Sequence, residues 1–346
     1  MGLIAFLESS LVLRLLLVAA GVFIVASIGA LIEIYIERKF WARIMSRLGP
    51  TEVGRYGTLQ LFADAIKFVG KEDFTPVAAD VPVYTLVPAL SVAFSFVPLL
   101  VIPFDYTVAS LFPQRFSPGD FVFSNFDPSL LVLLAFFALQ PVLVLLGGWA
   151  SGSKYTLIGG FRSAAQMISY EIPLVLSLLS VVVLTRTLNL QEMIAVQSNS
   201  LPFVLLDFPA FLLFLVAILA ELERTPFDLT EADEELVSGW ITEYGGTKFL
   251  LLYLASYLKA FAGAAILATL FFGGWLGPSP VPPLAWFFLK TIVIFTLFVW
   301  IRASYARVRV DQMLNLGWKY LVPLSVLWLL LTPFAASVFL GHGVLG

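Results

Sequence analysis

Acidic side chains are concentrated in one short stretch of this sequence, AELERTPFDLTEADEELVSGWITEY at residues 220–244. Crowded carboxylates raise one another's pKa, which suits groups that take up and release protons near neutral pH. An acidic loop is also able to dock a basic partner, and the two roles are compatible. Glu221 and Arg224 are three residues apart, a spacing that predicts an ion pair on one helix face. The acidic members are Glu221, Glu223, Asp228, Glu231, Asp233, Glu234, Glu235 and Glu243.

Three further carboxyl groups lie in or at the ends of apolar segments. Glu171 precedes Pro173, which cannot donate a hydrogen bond to the carbonyl of Ser169. A carboxyl beside such a helix defect can host water and pass protons, although a structural hydrogen bond would also explain it. Glu33 and Glu37 lie one helical turn apart on one face. The alternative is an interfacial cap whose charges extend to the lipid headgroups, which fits Glu37 and Arg38 better than it fits Glu33.

Composition limits the chemistry that these groups can do. The 346 residues are 60% hydrophobic and 12% charged, which is typical of a membrane protein. The sequence has no cysteine and one histidine, His342, which excludes disulfides, thiolate-held iron–sulfur clusters and a multi-histidine metal site in this chain. It also lacks the P-loop, the dinucleotide GxGxxG and the HExxH motif. The sequence therefore predicts no metal site, no nucleic-acid binding and no redox centre of its own.

The elements that must position these residues are membrane spans, since about 20 apolar helical residues cross a bilayer. The predicted fold is all-α and polytopic, with eight spans at residues 11–36, 83–104, 129–150, 161–186, 203–223, 246–273, 284–303 and 318–340. The first run lacks the cleavage site of a removable signal peptide and is predicted to be retained. We treat residues 1–346 as a single membrane domain, with an acidic cytoplasmic loop at 221–245.

Basic residues are distributed unequally between the loops of this arrangement. The even-numbered loops hold only Arg115 and Arg186. By the positive-inside rule, the odd-numbered loops are predicted to be cytoplasmic and both termini to lie outside. The odd-numbered loops hold 15 of the 20 lysines and arginines: Arg38, Lys39, Arg43, Arg47, Arg55, Lys67, Lys71, Lys154, Arg162, Arg224, Lys248, Arg302, Arg307, Arg309 and Lys319.

The first cytoplasmic loop contains a predicted amphipathic helix at residues 57–71. Leu59, Phe62, Ile66 and Val69 recur at helical spacing. Such a helix is predicted to lie at the membrane surface. It either seals the bundle from the side or presents a surface to a partner or ligand, and the pattern alone leaves both open.

Several blocks of the sequence, in order, are those of a known family. They are ERK at 37–39, RLGPTEVGRYGTLQLFADAIK at 47–67, KED at 71–73, GWASGSKYTLIGGFRSAAQMISYEIP at 148–173, AELERTPFDLTEADEELVSGWITEY at 220–244, FFGGW at 271–275 and WIRASYARVRVDQMLNLGWK at 300–319. The chain thereby resembles the H-subunit family of the proton-pumping NADH:quinone oxidoreductases of respiratory complex I. The resemblance covers nearly the whole chain.

The resemblance implies a heel subunit that joins the membrane arm of the complex to its peripheral redox arm. Its implied partners are the peripheral 49-kDa-type subunit, the subunit that carries the terminal iron–sulfur cluster, other membrane-arm subunits and the lipid bilayer. Quinone is the implied substrate, the iron–sulfur clusters belong to the partner subunits, and no cofactor is bound by this chain alone. The implied location is the plasma (inner) membrane, and the implied activity is that of a proton-translocating oxidoreductase subunit.

The resemblance also assigns roles to particular residues. The quinone chamber is expected to be lined by Arg38, Arg47, Asp64, Lys67 and Phe227. The proton path is expected to use Glu33, Glu37, Glu171, Glu221, Glu223, Asp228, Glu231, Glu234, Glu235 and Glu243. Counter-charges are expected from Arg224, Arg302 and Asp311.

The chain departs from the family pattern at three places, and two other functions stay open. Thr51 and Glu52 stand where many members have the asparagine of a GPN block, Leu61 replaces a proline that precedes the ADA of the surface helix, and Ala138 replaces a glutamate of the third span. The proton path is therefore expected to have one carboxylate fewer on that span. The alternatives are the homologous membrane subunit of a hydrogenase-type complex and a stand-alone proton-coupled transporter. The second alternative is weakened because no internal repeat is visible.

Overall fold

Apolar segments of this length form helices because a backbone in hydrocarbon must satisfy its own hydrogen bonds. The computed structural model of the protein describes residues 11–104, 127–198, 200–228 and 237–339. The helices of these residues are α1 (Leu11–Ile44), α2 (Gln60–Val69), α3 (Val81–Val101), α4 (Ser129–Ala138), α5 (Gln140–Ala150), α6 (Lys154–Thr185), α7 (Leu190–Ser198), α8 (Phe203–Leu206), α9 (Phe208–Glu221), α10 (Gly246–Phe272), α11 (Pro283–Ser304), α12 (Val310–Asn315) and α13 (Val322–Phe339). A π-helical turn, Leu316–Leu321, joins α12 to α13.

The predicted all-α polytopic membrane fold is confirmed. Within the described residues, seven helical segments are long and apolar enough to cross a membrane, and α9 is a shorter apolar helix. The predicted fifth span, 203–223, is divided between α8 and α9, with a break at Asp207. The 14 residues of α9 rise about 21 Å, less than the roughly 30 Å of a hydrocarbon core.

Two predicted span ends are wrong. The first helix does not stop at residue 36 but continues to Ile44, so that Arg38, Lys39 and Arg43 lie on α1 rather than in a loop. The last helical segment begins at Val310 instead of residue 318. Hydropathy marks where apolar residues stop, whereas a helix continues wherever its charged side chains reach polar surroundings.

Among the described spans, α10 has the largest share of buried residues. It packs against α1, α3 and α11, while α6 packs against α5, α9 and α13. Small residues allow these close approaches. A Cβ atom on Gly148 of α5 would lie 2.5 Å from the carbonyl oxygen of Thr156 on α6, closer than van der Waals contact allows. The glycine of the GWASGSKY block is therefore needed for the packing of α5 on α6.

The loop after α9 is not a free cytoplasmic loop at its start. Glu221 contacts Lys259, the middle residue of the 27-residue helix α10, so α9 ends about half-way along its neighbour. Leu222, Phe227 and Asp228 are buried. Irregular backbone at membrane depth is tolerated where protein surrounds it or where it lines a cavity. The ends of α1, α9 and α11 converge on this buried loop.

Candidate functional site

The centre of the site is the carboxylate of Glu37 on α1, which is buried between two guanidinium groups. Arg224 of the α9–α10 loop donates to it, with Nη1 3.1 Å from Oε1, and Arg302 of α11 donates to the same oxygen. Arg224 also lies 4.7 Å from the ring centre of Tyr257, and Arg302 lies 4.6 Å from that of Trp41. Aromatic faces attract cations and here fix the planes of both arginines. Two helices, α1 and α11, and one loop are thus joined through a single carboxylate.

A cavity of about 390 Å³ opens beside this carboxylate. Its walls combine charged groups with aromatic rings, a combination that offers both flat apolar contacts and hydrogen-bond donors to a planar ligand. The lining residues are Glu37, Arg38, Trp41, Arg47, Gly49, Pro50, Leu222, Glu223, Arg224, Asp228, Tyr253, Ser256, Tyr257 and Arg302.

The surface helix α2 is attached beside the cavity by its polar face. Arg38 Nη1 of α1 lies 2.5 Å from Asp64 Oδ2, and Gln60 donates to the other carboxylate oxygen at 2.8 Å. Burial raises the pKa of Asp64, but the hydrogen bonds from Arg38 and Gln60 and the charges of Arg38 and Lys67 outweigh it, so that the pKa lies below its ordinary value. Lys67 itself is exposed.

The apolar face of α2 points away from the described part of the chain. Leu59, Phe62, Ile66 and Val69 are 52%, 56%, 73% and 60% exposed. This face therefore does not seal the bundle, which leaves the interpretation as a partner, ligand or lipid surface.

Glu33 lies one turn deeper on α1 than Glu37 and is fully buried. Neither of its carboxyl oxygens has a hydrogen-bond partner among the described residues. The charges of Arg224 and Glu37 act on it. Because an unpaired carboxylate in such surroundings is costly, Glu33 is a group suited to holding a proton.

The predicted pairing of Glu221 with Arg224 is wrong. Glu221 pairs with Lys259 of α10 at 3.0 Å, and Arg224 turns to Glu37. The chain leaves α9 through Glu223, whose positive φ of 52° redirects the backbone, and Ser163 of α6 donates to its carboxylate. A helical spacing of three residues does not apply once the helix has ended.

Gln166 of α6 holds this loop at both ends. Its side-chain nitrogen donates to the carbonyls of Ala220 and Phe227, at 2.7 and 2.8 Å. The ring of Phe227 is buried and packs against Tyr170, with ring centres 5.2 Å apart. Sequence reasoning missed Gln166 because a neutral amide within a helix carries no distinctive signal.

The remaining predicted residues separate into four groups. Asp228 lies near the site, 3.5 Å from Arg307, and burial rather than crowding with other acids is the main cause of its raised pKa. Glu171 lies on α6, which runs without a break through Pro173. Glu243 and Asp311 are not brought to Glu37. The backbone carbonyl of Glu243 accepts a hydrogen bond from Tyr84, and Asp311 forms an exposed local pair with Arg309 at 3.3 Å. Glu231, Glu234 and Glu235 lie outside the described residues.

Two buried charged residues escaped the sequence analysis, Lys259 on α10 and Asp207 at the start of α9. Asp207 accepts hydrogen bonds from Ser180, at 2.6 Å, and from Trp328. Each is a charged residue inside a predicted span. A charged group at membrane depth is costly and usually has a function. This rule singled out Glu171 and applies equally to Lys259 and Asp207.

The described residues contain no group of three His, Asp or Glu side chains arranged to hold a metal ion. The profile of the NADH dehydrogenase family matches residues 17–333, which include the whole site. The chain belongs to the NADH dehydrogenase family. The resemblance seen in the sequence motifs is thereby confirmed.

Curated members of the NADH dehydrogenase family are similar over most of the chain. The H subunit of the NADH-quinone oxidoreductase of Dehalococcoides mccartyi is 41% identical over 312 residues, which cover 90% of this chain and 83% of that protein. NADH-quinone oxidoreductase subunit 8 of Thermus thermophilus is 42% identical, with 88% and 81% covered. The H subunit from Methylococcus capsulatus is 41% identical, with 89% and 93% covered.

Proposed function

We propose that this chain is the membrane subunit of an NADH-quinone oxidoreductase complex that forms part of the quinone chamber and couples quinone reduction to proton translocation. The observation that carries the proposal is the Glu37–Arg224–Arg302 cluster beside a cavity, in a chain about 41% identical to the H subunits of such complexes. A flat quinone ring fits a cavity that has aromatic walls and guanidinium donors.

The chemistry of the substrate explains why charged groups belong here. Reduction of a quinone to a quinol consumes electrons and an equal number of protons, so negative charge builds up until protons arrive. A low-dielectric site transmits that charge to neighbouring ionisable groups. Glu37 and Glu33 form the first part of the proposed path, and Glu221, Glu223, Asp228 and Glu171 continue it. The resemblance assigns four further carboxyl groups to the same path, those of Glu231, Glu234, Glu235 and Glu243.

The partners in this proposal are the peripheral 49-kDa-type and terminal-cluster subunits, other membrane-arm subunits and lipid. Iron–sulfur clusters on the peripheral partners supply the electrons. The α2 helix and the cavity lie side by side through the Arg38–Asp64 pair, so the exposed apolar face of α2 is placed to meet a peripheral subunit. The membrane is the plasma membrane, with the odd-numbered loops in the cytoplasm and both termini outside.

Co-purification tests the assembly. After mild detergent extraction, a tagged chain is expected to bring down subunits that carry iron–sulfur clusters, visible by electron paramagnetic resonance, together with NADH:quinone reductase activity. Recovery of the chain alone, with proton-coupled transport in liposomes, would favour the stand-alone transporter and contradict the proposal. Recovery with a hydrogenase and without quinone reductase activity would favour the hydrogenase-type complex.

Arg38→Ala tests the chamber within the assembled complex. The variant loses the ion pair to Asp64 and one of the side chains that line the cavity. The apparent KM for a short-chain quinone is therefore expected to rise. Electron transfer from NADH to ferricyanide, which does not need the chamber, serves as the internal reference. Arg309→Ala is the matched control, because Arg309 is 80% exposed and absent from the cavity wall. An unchanged KM in Arg38→Ala would count against the assignment.

A further inference from the structure

A buried ion pair joins α9 to α10 deep in the bundle. Lys259 Nζ lies 3.0 Å from Glu221 Oε1 and donates to the carbonyl oxygen of Glu221 at 2.7 Å. The two side chains are 8% and 3% exposed. Lys259 is the middle residue of a membrane-spanning helix, where an ammonium group without a counter-charge is costly.

Glu171 of α6 is an alternative carboxyl for Lys259 among the described residues. Other close neighbours of Lys259 are Met167 Sδ at 3.9 Å and the ring of Phe137 at 5.9 Å, both weak partners for a cation. Met167 lies one helical turn before Glu171 on α6, so the two residues share one face of that helix. Lys259 and Glu171 interact electrostatically.

The carboxyl of Glu221 is equally dependent on this pair. Its second oxygen, Oε2, has no hydrogen-bond partner among the described residues. The charged groups that act on it are Lys259 from α10, Glu171 from α6 and Glu223 from the following loop. Neutralising Lys259 would therefore leave Glu221 beside two carboxyl groups and without the cation that pairs with it.

We propose that Lys259 is a switch between Glu221 and Glu171, which passes protons one at a time; this inference rests on the function proposed above. In the resting state, Glu221 is ionised and paired with Lys259, and Glu171 carries a proton. When a proton binds Glu221, the ammonium loses its partner and turns to Glu171. Glu171 then releases its proton, because its carboxylate becomes the counter-charge. Transfer of the proton from Glu221 to Glu171, with the return of the ammonium to Glu221, then restores the resting state. Only O–H bonds form and break, and the three groups carry no net charge before proton uptake and after proton release.

Glu171 is suited to be the releasing group of this switch. It is only partly buried in this chain, whereas Glu221 and Lys259 are closed off. A proton that leaves Glu171 can pass to water or to a neighbouring membrane subunit. The flexible four-carbon stem of a lysine allows its ammonium group to move between two carboxyls, which a rigidly held cation would not do.

The experiment uses the whole complex in inverted membrane vesicles and compares Lys259→Met, Glu221→Gln and the double variant. Proton pumping is followed by quenching of an acridine dye and is expressed per quinone reduced. In Lys259→Met this ratio is expected to fall, with quinone reduction retained. Without Lys259, Glu221 is expected to bind its proton about tenfold more tightly. The pH profile of pumping should therefore move to higher pH by about one unit.

Lys290→Met is the matched control, since Lys290 of α11 donates to the carbonyls of Phe272, Gly274 and Leu276 and pairs with no acid in the described structure. It is expected to keep the wild-type pumping ratio and pH profile. A loss of stability alone would change pumping in both lysine variants, whereas loss of the switch changes the pumping ratio and pH profile only in Lys259→Met.

If Lys259→Met fails to assemble, the double variant still tests the proposal, because a neutral pair of similar volume is tolerated in place of a buried ion pair. It is expected to assemble and to pump no better than Glu221→Gln. Wild-type pumping and pH profile in Lys259→Met, or wild-type pumping in the double variant, would overturn the switch. Wild-type pumping in Glu221→Gln alone would instead remove Glu221 from the proposed proton path.

Discussion

Glu37→Gln is the substitution whose effect the structure defines most sharply. The glutamine keeps the size of the side chain but removes the charge that Arg224 and Arg302 share. Neutralising one partner of a buried ion pair costs about 3–5 kcal/mol, because the other charge stays buried. Since Arg224 and Arg302 keep 15% and 19% of their side chains exposed, we take the lower end, about 3 kcal/mol.

That free energy corresponds to roughly a 100-fold smaller population of the conformation in which Arg224 and Arg302 are both held at residue 37. The expected result is a raised apparent KM for a short-chain quinone and an earlier loss of quinone reductase activity on heating. Transfer from NADH to ferricyanide should stay unchanged. Because the pair with Arg309 is surface-exposed, Asp311→Asn is the control and is expected to stay within about 0.5 kcal/mol of wild type. Glu37→Gln with the KM and thermal profile of that control would refute the reasoning.

Three other outcomes follow from the packing and the charges. The Arg38–Asp64 pair is expected to hold from neutral pH to about pH 4, the ordinary aspartate pKa, and to weaken as the pH falls further through the lowered pKa of the folded state. Pepsin cleavage near α2 should therefore accelerate at the acid end, and Asp64→Asn should show no such pH step. Gly148→Ala should cost about 1–3 kcal/mol of stability through the clash with Thr156, measured as thermal inactivation, while Gly21→Ala, with open space around its Cβ, should not destabilise. Asp207→Ala should cost about 1–3 kcal/mol, because it leaves the Trp328 donor without its acceptor and Ser180 with only the Ser177 carbonyl; equal heat stability with wild type would contradict this.

The sequence by itself determined the fold class and the family of this protein. Long apolar runs have few structural solutions in a bilayer, so the helices are predictable from hydropathy alone. The ERTPFD and GWASGSKY blocks identify the family because their residue types and order are specific. Charge at membrane depth singled out Glu33, Glu37 and Glu171, and the same rule, applied without exception, would have found Lys259 and Asp207.

Only the tertiary structure decided which charges meet. Arg224 binds Glu37, 187 residues away, and Glu221 binds Lys259, because α9 ends early and its loop enters the bundle. Helical spacing predicted neighbours within one helix and gave no information across helices. The direction of the apolar face of α2 was likewise fixed by contacts that no periodicity contains, the Arg38–Asp64 ion pair and the packing of Phe68 on Phe249 of α10. Pairing in a buried site depends on where helices stop and how they pack, and both are properties of the assembled bundle.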